Sequence, residues 1–386
     1  MRVAIVSRIY RPEPAAAAFF LGSTADALLA HGHEVDVVTV KPPKGLRTAS
    51  RRERVRTFPV LRDRNGYVRG YVQYLSFDLP LLFRLLVLRR PDVVFVEPPP
   101  TTGAVVRLVC ALRRIPYVYD AADIWSDAAI QATDSRFVLR ALRSIECFAM
   151  RGAAAHVTIS QGVIERVRAL GVDRPMTVTG FGADTSEFGF TPAEPQRLFV
   201  YAGTYSRLHG AEVLVEAFAR LLRTHPGYTL RFLGNGTERE QLRRRSEELG
   251  IAEAVEFIDS VPAAALKEQL AGAVASLATL LPDGGYDYAF TSKVYSSLAV
   301  GCPVIFAGPG PTSRFVEEAS EHVPVGRAVP YDADEVARAM RDAADRPLTV
   351  EQRRAVAEWT HAEHSMSSVA QRVAGVIETT ARAPRP

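Results

Sequence analysis

Two hydrophobic periods alternate along the chain. Short apolar runs that barely alternate, beginning with Arg2 to Ser7, have the Val/Ile-rich character of strands buried on both faces of a parallel sheet. Longer segments with helical spacing separate them. A helix is predicted from about Ala16 to His31, Gly32 stops it, and Glu34 to Val40 makes the next strand, which gives a βαβ opening. Strands recur at Asp92 to Glu97, Tyr117 to Ala121, His156 to Ser160 and Met176 to Gly180. After the Pro-containing linker Thr191 to Pro195 a second series begins. It runs strand Leu198 to Gly203, helix Ala211 to Arg223, strand Thr229 to Gly234, helix Glu238 to Leu249 and strand Val255 to Asp259. Strand Ala275 to Leu280, helix Ser292 to Val300 and strand Val304 to Ala307 follow, then helices around Ala333 to Ala344 and Val350 to Val373. Leu214, Phe218, Leu221 and Leu222 share one helical face and are expected in the core.

The pattern therefore predicts an α/β chain of two Rossmann-like, doubly wound domains, and 386 residues suit two cores better than one. The expected division is residues 1–190 and 191–364, with the C-terminal helix at about 365–386 packing back on the first domain. Ligands of such sheets sit beyond the carboxyl ends of the strands, so two facing halves are expected to build a cleft.

Composition narrows the choice little: 47% hydrophobic and 23% charged residues describe an ordinary globular protein. No apolar stretch reaches the roughly 20 residues that span a bilayer. Met1 to Ser7 enters a strand directly, without the blocks of a secretion signal, so a cytosolic location is expected. Cys110, Cys147 and Cys302 are odd in number, form no CxxC pair and read as buried free thiols. The net charge of +4 is uneven. Residues 41–70 hold ten basic side chains (Lys41, Lys44, Arg47, Arg51, Arg52, Arg54, Arg56, Arg62, Arg64, Arg69) against Glu53 and Asp63, leaving −4 elsewhere. Beside the amphipathic stretch Phe77 to Leu88, this run reads either as a solvated loop or as a site for anionic lipid or an anionic acceptor. Nucleic acid is disfavoured, because no recognisable module is present and the run has little aromatic interleaving.

The segment from Phe290 to Ile305 carries the clearest chemistry. Thr291 or Ser292 can cap a helix that Gly301 ends, and Pro303 prevents its continuation. Lys293 then falls in the first turn, where a cation opposes the helix dipole by roughly 0.3 to 1 kcal/mol unless an anion shares that end. A diphosphate would supply the anion. Only four lysines stand against 43 arginines, so a compact point charge here is suggestive, although an exposed lysine without a task fits the spacing equally.

Tyr10 to Glu13, Gly32 to Val35, Tyr117 to Trp125, Tyr201 to Gly210, Gly234 to Gly236 and Ser292 to Ile305 together, in this order and spacing, resemble glycosyltransferase family 4. The match is closest to the bacterial branch acting on surface polysaccharides, with its "YxPE", "GHEVxVxT", "RDLWP", "YAGxxGxxxG" and "PSKxYExLAAGxPVI" patterns. The resemblance implies the two-domain GT-B fold and transfer with retention from a UDP-, GDP- or dTDP-sugar, without a metal or other cofactor. The nucleotide would be held by the second domain, its diphosphate near Gly203 and the catalytic cations Arg207 and Lys293, its base against the backbone around Val261 and its ribose near Ser296, with Thr204, His209, Gly234 and Ser292 as further donor-binding residues. Arg207 also reads as a surface residue and His209 as a plain loop histidine. In the first domain the resemblance points to Asp123 as the group that orients or deprotonates the acceptor hydroxyl, with Trp125 as a platform and Glu13 and Ala16 nearby. Asp123 equally suits a helix cap beside a core Trp, and Glu13 a cap of the first long helix. The acceptor implied is a lipid-linked saccharide or a small natural product.

Three positions depart from the family pattern. Ala122 replaces the Arg before Asp123, and no His lies at this strand end. Ser296 stands where an acidic residue holds the donor ribose, and Phe181 replaces the Asn of the turn before Asp184. These keep two alternatives open: a noncatalytic nucleotide-sugar-binding or partner-activating subunit, and a nucleotide-sugar epimerase. Asp332-Ala333-Asp334 matches a metal-binding DxD pattern but reads as a helix cap. Ser7 to Phe20 contains no glycine, which excludes the GxGxxG turn of NAD enzymes.

Overall fold

The computed structural model describes residues 1–13, 15–43, 52–63, 68, 70–129, 133 and 135–383. It divides into two compact units, residues 1–180 with 366–386, and residues 181–365.

The first unit runs β1 (Arg2–Val6), α1 (Ala16–Ala30), β2 (Glu34–Val40), β3 (Arg54–Phe58), α2 (Tyr71–Val87), β4 (Val93–Val96), α3 (Pro100–Arg113) and β5 (Tyr117–Ala121). It continues with α4 (Trp125–Ala128), α5 (Arg136–Gly152), β6 (Ala155–Thr158), α6 (Gln161–Ala169) and β7 (Met176–Val178). The second unit runs β8 (Leu198–Ala202), α7 (Glu212–Leu222), β9 (Thr229–Leu233), α8 (Arg239–Glu248), β10 (Val255–Ile258), α9 (Ala263–Gly272) and β11 (Ala275–Thr279). After it come α10 (Lys293–Ala299), β12 (Val304–Ala307), α11 (Pro311–Ser320), β13 (Gly326–Val329), α12 (Ala333–Asp345) and α13 (Val350–His364). The closing helix α14 (Met366–Arg382) belongs to the first unit.

Both sheets are parallel, with orders β3-β2-β1-β4-β5-β6-β7 and β10-β9-β8-β11-β12-β13. The strand order reverses between β1 and β4 in one and between β8 and β11 in the other. Those reversals are the switch points at which doubly wound sheets open space at their carboxyl ends. Strands β1, β4, β5, β8, β11 and β12 are buried at every residue, as their unbroken apolar runs require. In α7, Leu214, Phe218 and Leu221 are fully buried and Leu222 packs against the same core. Cys110, Cys147 and Cys302 are buried free thiols.

The sequence reading needs four corrections. Residues 181–190 belong to the second unit, where Ala183 N donates to His364 O (2.8 Å) and Phe188 packs on the core beneath β8. The helical run from Val350 breaks at Ser365, which is extended and forms a parallel bridge with Ala183. That tie diverts the backbone from the helix. Within the basic segment, Arg54–Phe58 forms an edge strand: Arg54 and Arg56 face Glu34 and Asp36 across the ladder rather than solvent alone. Lys44, Arg47, Arg51, Arg64 and Arg69 of that segment lie outside the described residues. Finally, neither Thr291 nor Ser292 caps α10 with its side chain; Ser292 is the cap residue in helical conformation and makes no side-chain cap bond. Asp332 does cap α12, accepting from Asp334 N (2.9 Å) and Glu335 N (3.1 Å).

Candidate functional site

In the second unit the loop after β8 and the start of α10, which follows β11, meet at the switch point. Lys293 Nζ donates to Tyr201 Oη (2.6 Å) and lies 3.9 Å from the Tyr201 ring centroid, while Tyr201 Oη donates to Thr204 O (3.0 Å). The ammonium is thus pinned over the end of β8. Burial alone lowers its pKa from 10.5 to about 7, and no carboxylate among the described residues offsets that loss of solvation. Gly203 has φ +122, and a side chain there would press within 3.3 Å of Lys293 Cε, so the glycine leaves room for the lysine. At Gly234, φ +132, a Cβ would run into the carbonyl oxygen of Gly203. Two glycine turns therefore pack backbone to backbone, which leaves amide groups and one partly desolvated cation at the strand ends.

Around this centre, Thr204, Arg207 and Ser292 are exposed, and His209, Val261 and Ser296 are half-buried. Arg207 sits in the turn between β8 and α7 and has no ion-pair partner among the described residues. His209 Nδ1 accepts from Ser206 N (3.3 Å), so the neutral ring carries its proton on Nε2. Burial first, then the charge of Lys293, lowers the His209 pKa to about 4 and keeps the ring neutral. Ser296 is one turn beyond Lys293 on α10. Val261 follows β10 and packs against the core that includes Leu233 and Val200.

In the first unit, Asp123 lies just past β5. It is solvent-accessible, yet protein crowds it on most sides and this raises its pKa. Trp125 opens the short α4, whose first amides are held by Glu146: Trp125 N donates to Oε1 (2.7 Å) and Ser126 N to Oε2 (3.0 Å). The Trp125 ring meets Tyr74 edge-on with centroids 6.2 Å apart. Glu13 neither stands free nor caps α1; it pairs with Arg62 (3.0 Å), and the cap position is Ala15. Ala16 is exposed at the first position of α1.

Sequence reasoning missed the groups beside Asp123. Arg8 follows β1, is 4% exposed, donates to Val68 O (2.7 Å) and stacks 4.2 Å from Tyr74 and 5.2 Å from Trp125. Glu97 follows β4, with Oε2 2.8 Å from Ser7 Oγ. Burial raises the Glu97 pKa to about 7; Arg8 and the Ser7 contact oppose the rise and Asp123 adds to it. Asp120, buried at the end of β5, is pushed well up by burial and then by Glu97 and Asp123. Burial therefore opposes the ionisation of all three carboxyls at these adjacent strand ends. Their position after β1, β4 and β5 was the available signal.

Comparison with known proteins agrees with both sheets. A model described as a glycosyl transferase 4-like domain matches residues 17–182, and one described as glycosyl transferases group 1 matches residues 183–360. A D-inositol 3-phosphate glycosyltransferase of Nocardia farcinica is 33% identical over 143 residues, which is 35% of this chain and 30% of the relative. Curated relatives are matched over 27% to 59% of their own lengths. Among solved structures, sucrose-phosphate synthase from Thermosynechococcus elongatus superposes with TM-score 0.71 at 16% identity over 98% of both chains. Anabaena Alr3699/HepE, in complex with UDP, gives TM-score 0.71 at 15% identity over 98% of this chain and 100% of that one. Both share the fold. With one model on each half and the GT-B fold throughout, the chain belongs to the group 1, family 4-type glycosyltransferases.

Proposed function

We propose that the protein transfers a glycosyl residue from a nucleoside diphosphate sugar to an acceptor hydroxyl, with retention of anomeric configuration. The observation that carries this reading is Lys293: a cation pinned by Tyr201 at the switch point of the second sheet, short of solvent and without an acid to neutralise it. A diphosphate offers the missing charge. Cleavage of the sugar C1 to oxygen bond builds negative charge on the departing diphosphate, and a preset cation stabilises that charge more than the ground state. Arg207 is the second cation, the amides around Gly203 and Thr204 line the diphosphate, and the neutral His209 donates from Nε2. Val261 backs the base and Ser296 faces the ribose. A UDP-sugar is the first donor to assay, since a protein of the same fold binds UDP.

In the first unit Asp123 takes the acceptor proton or orients the hydroxyl, and Trp125 offers an apolar face to the acceptor, a lipid-linked saccharide or a small natural product. Burial raises the Asp123 pKa, which makes its carboxylate a better acceptor of that proton. The proposed chemistry uses side-chain cations where other transferases use a metal.

Turnover tests the proposal. Nucleoside diphosphate released only when acceptor is present supports transfer, and product NMR reads the anomeric configuration. Isomerised donor would indicate an epimerase instead. Donor binding without any product would indicate a noncatalytic subunit, the reading that Ser296 and Ala122 favour.

A further inference from the structure

Helix α2 is apolar on two opposite sides. Phe77, Leu81 and Leu85, with Leu88 just past its end, are buried on one side, where Phe77 stacks on Phe58 of β3. Val72, Leu75, Leu79, Phe83 and Val87, spaced three and four residues apart, form a second stripe that is 51% to 83% exposed. Nothing among the described residues covers that stripe. Next to α2 lies α3, and next to α3 lies α5, so the three helices form one layer on the sheet. Leu108 and Leu112 on α3, and Phe137 and Phe148 on α5, extend the exposed apolar surface. Contiguous exposed apolar surface of this kind marks an interaction site.

The charge on the layer is one-sided. The three helices carry seven arginines, Arg84, Arg107, Arg113, Arg136, Arg140, Arg143 and Arg151. Among the described residues none of these forms an ion pair. Their only acids, Asp78 and Glu146, are buried and turned inward: Asp78 accepts from Thr102, and Glu146 holds the start of α4. Arg107 lies over the exposed Phe148, so its guanidinium group spreads along the apolar surface, while Arg84 covers the buried Phe58 of β3. Apolar side chains ringed by cations, with no exposed acid, complement a surface that is apolar beneath and anionic above.

We propose that the outer face of α2, α3 and α5 docks on an anionic lipid bilayer, with the α2 stripe entering the headgroup boundary and the arginines lying against lipid phosphates. No helix among the described residues is long and apolar enough to cross a membrane, so the contact is peripheral. The sequence paired the stretch Phe77 to Leu88 with the basic residues 41–70; the arginines of α2, α3 and α5 add cations from the helices themselves. The contact stands apart from the transfer reaction, since neither donor nor acceptor is needed to observe it.

Vesicle flotation of the full chain, without donor or acceptor, tests the proposal. Vesicles of phosphatidylcholine mixed with phosphatidylglycerol should bind about thirtyfold more tightly than phosphatidylcholine alone, the gain from two arginines near the surface. Salt should weaken the binding. Leu79→Ser with Phe83→Ser, and separately Arg140→Glu with Arg143→Glu, should each reduce it by roughly tenfold or more. Both variants should keep the parent melting temperature, because the replaced side chains are exposed. Equal binding to neutral vesicles, no binding, or variants that bind like the parent would overturn the proposal. So would a dimer that the same substitutions dissociate, which would make the face a contact between copies.

Discussion

Lys293 gives donor binding a defined pH dependence. In the ligand-free protein its pKa is about 7, so about half the molecules hold a charged lysine at neutral pH. A bound nucleotide sugar places a diphosphate against the ammonium, restores the lysine pKa toward its ordinary 10.5, and has no titrating group of its own near neutrality. Binding above pH 7 must then take up a proton. Apparent affinity should be flat below pH 6, fall about tenfold between pH 6 and 8, and fall about tenfold more by pH 9, where the cost reaches about 2.7 kcal/mol. His209 does not confuse the profile, since its pKa of about 4 keeps it neutral throughout. The sign reverses for the stability of the empty protein. Between about pH 7 and 10.5 the unfolded chain holds more protons than the folded one, so this group alone makes ligand-free stability rise with pH in that window. Isothermal titration calorimetry in two buffers of different ionisation enthalpy reads both affinity and proton uptake, about 0.9 proton per donor at pH 8. A flat affinity from pH 6 to 9, or the same slope in Lys293→Met, would refute the reasoning.

Three further outcomes are expected. Asp123→Asn should lower kcat by roughly 10²-fold or more while donor Kd changes little, and an unchanged kcat would make Asp123 structural. Gly234→Ala forces a side chain against Gly203 O at φ +132; it should cost about 1–3 kcal/mol, lower Tm by several degrees and weaken donor binding, and a parent-like Tm would contradict the packing of the two turns. Ser296→Glu restores the acidic residue of the family pattern and should tighten donor binding by about tenfold or more, the worth of one charged hydrogen bond to a ribose hydroxyl; equal or weaker binding would place the ribose elsewhere.

The order of strands and helices was legible because parallel strands buried on both faces read as unbroken apolar runs. Lys293 was legible because a cation in a first helical turn is unfavourable without an anion. Strand β3 was hidden by Arg54 and Arg56, whose charges are balanced by Glu34 and Asp36 one strand away, a pairing that local sequence does not display. The break at Ser365 has no Gly or Pro to announce it, since a tie to Ala183, distant in sequence, creates it. Arg8 and Glu97 belong to no motif and become site candidates only when the sheet order sets β1 beside β4. The outward stripe of α2 was likewise illegible as a surface, because periodicity says which residues share a face but not which of two apolar faces the sheet takes.

The central claim is that Lys293 and the Gly203 turn grip a diphosphate. A crystal structure with a bound nucleoside diphosphate sugar tests it most directly. The account predicts a phosphate oxygen within hydrogen-bond reach of Lys293 Nζ, with Arg207 turned onto the same group and loop amides after β8 lining it. A nucleotide bound elsewhere, or a diphosphate that leaves Lys293 bonded only to Tyr201, would contradict it.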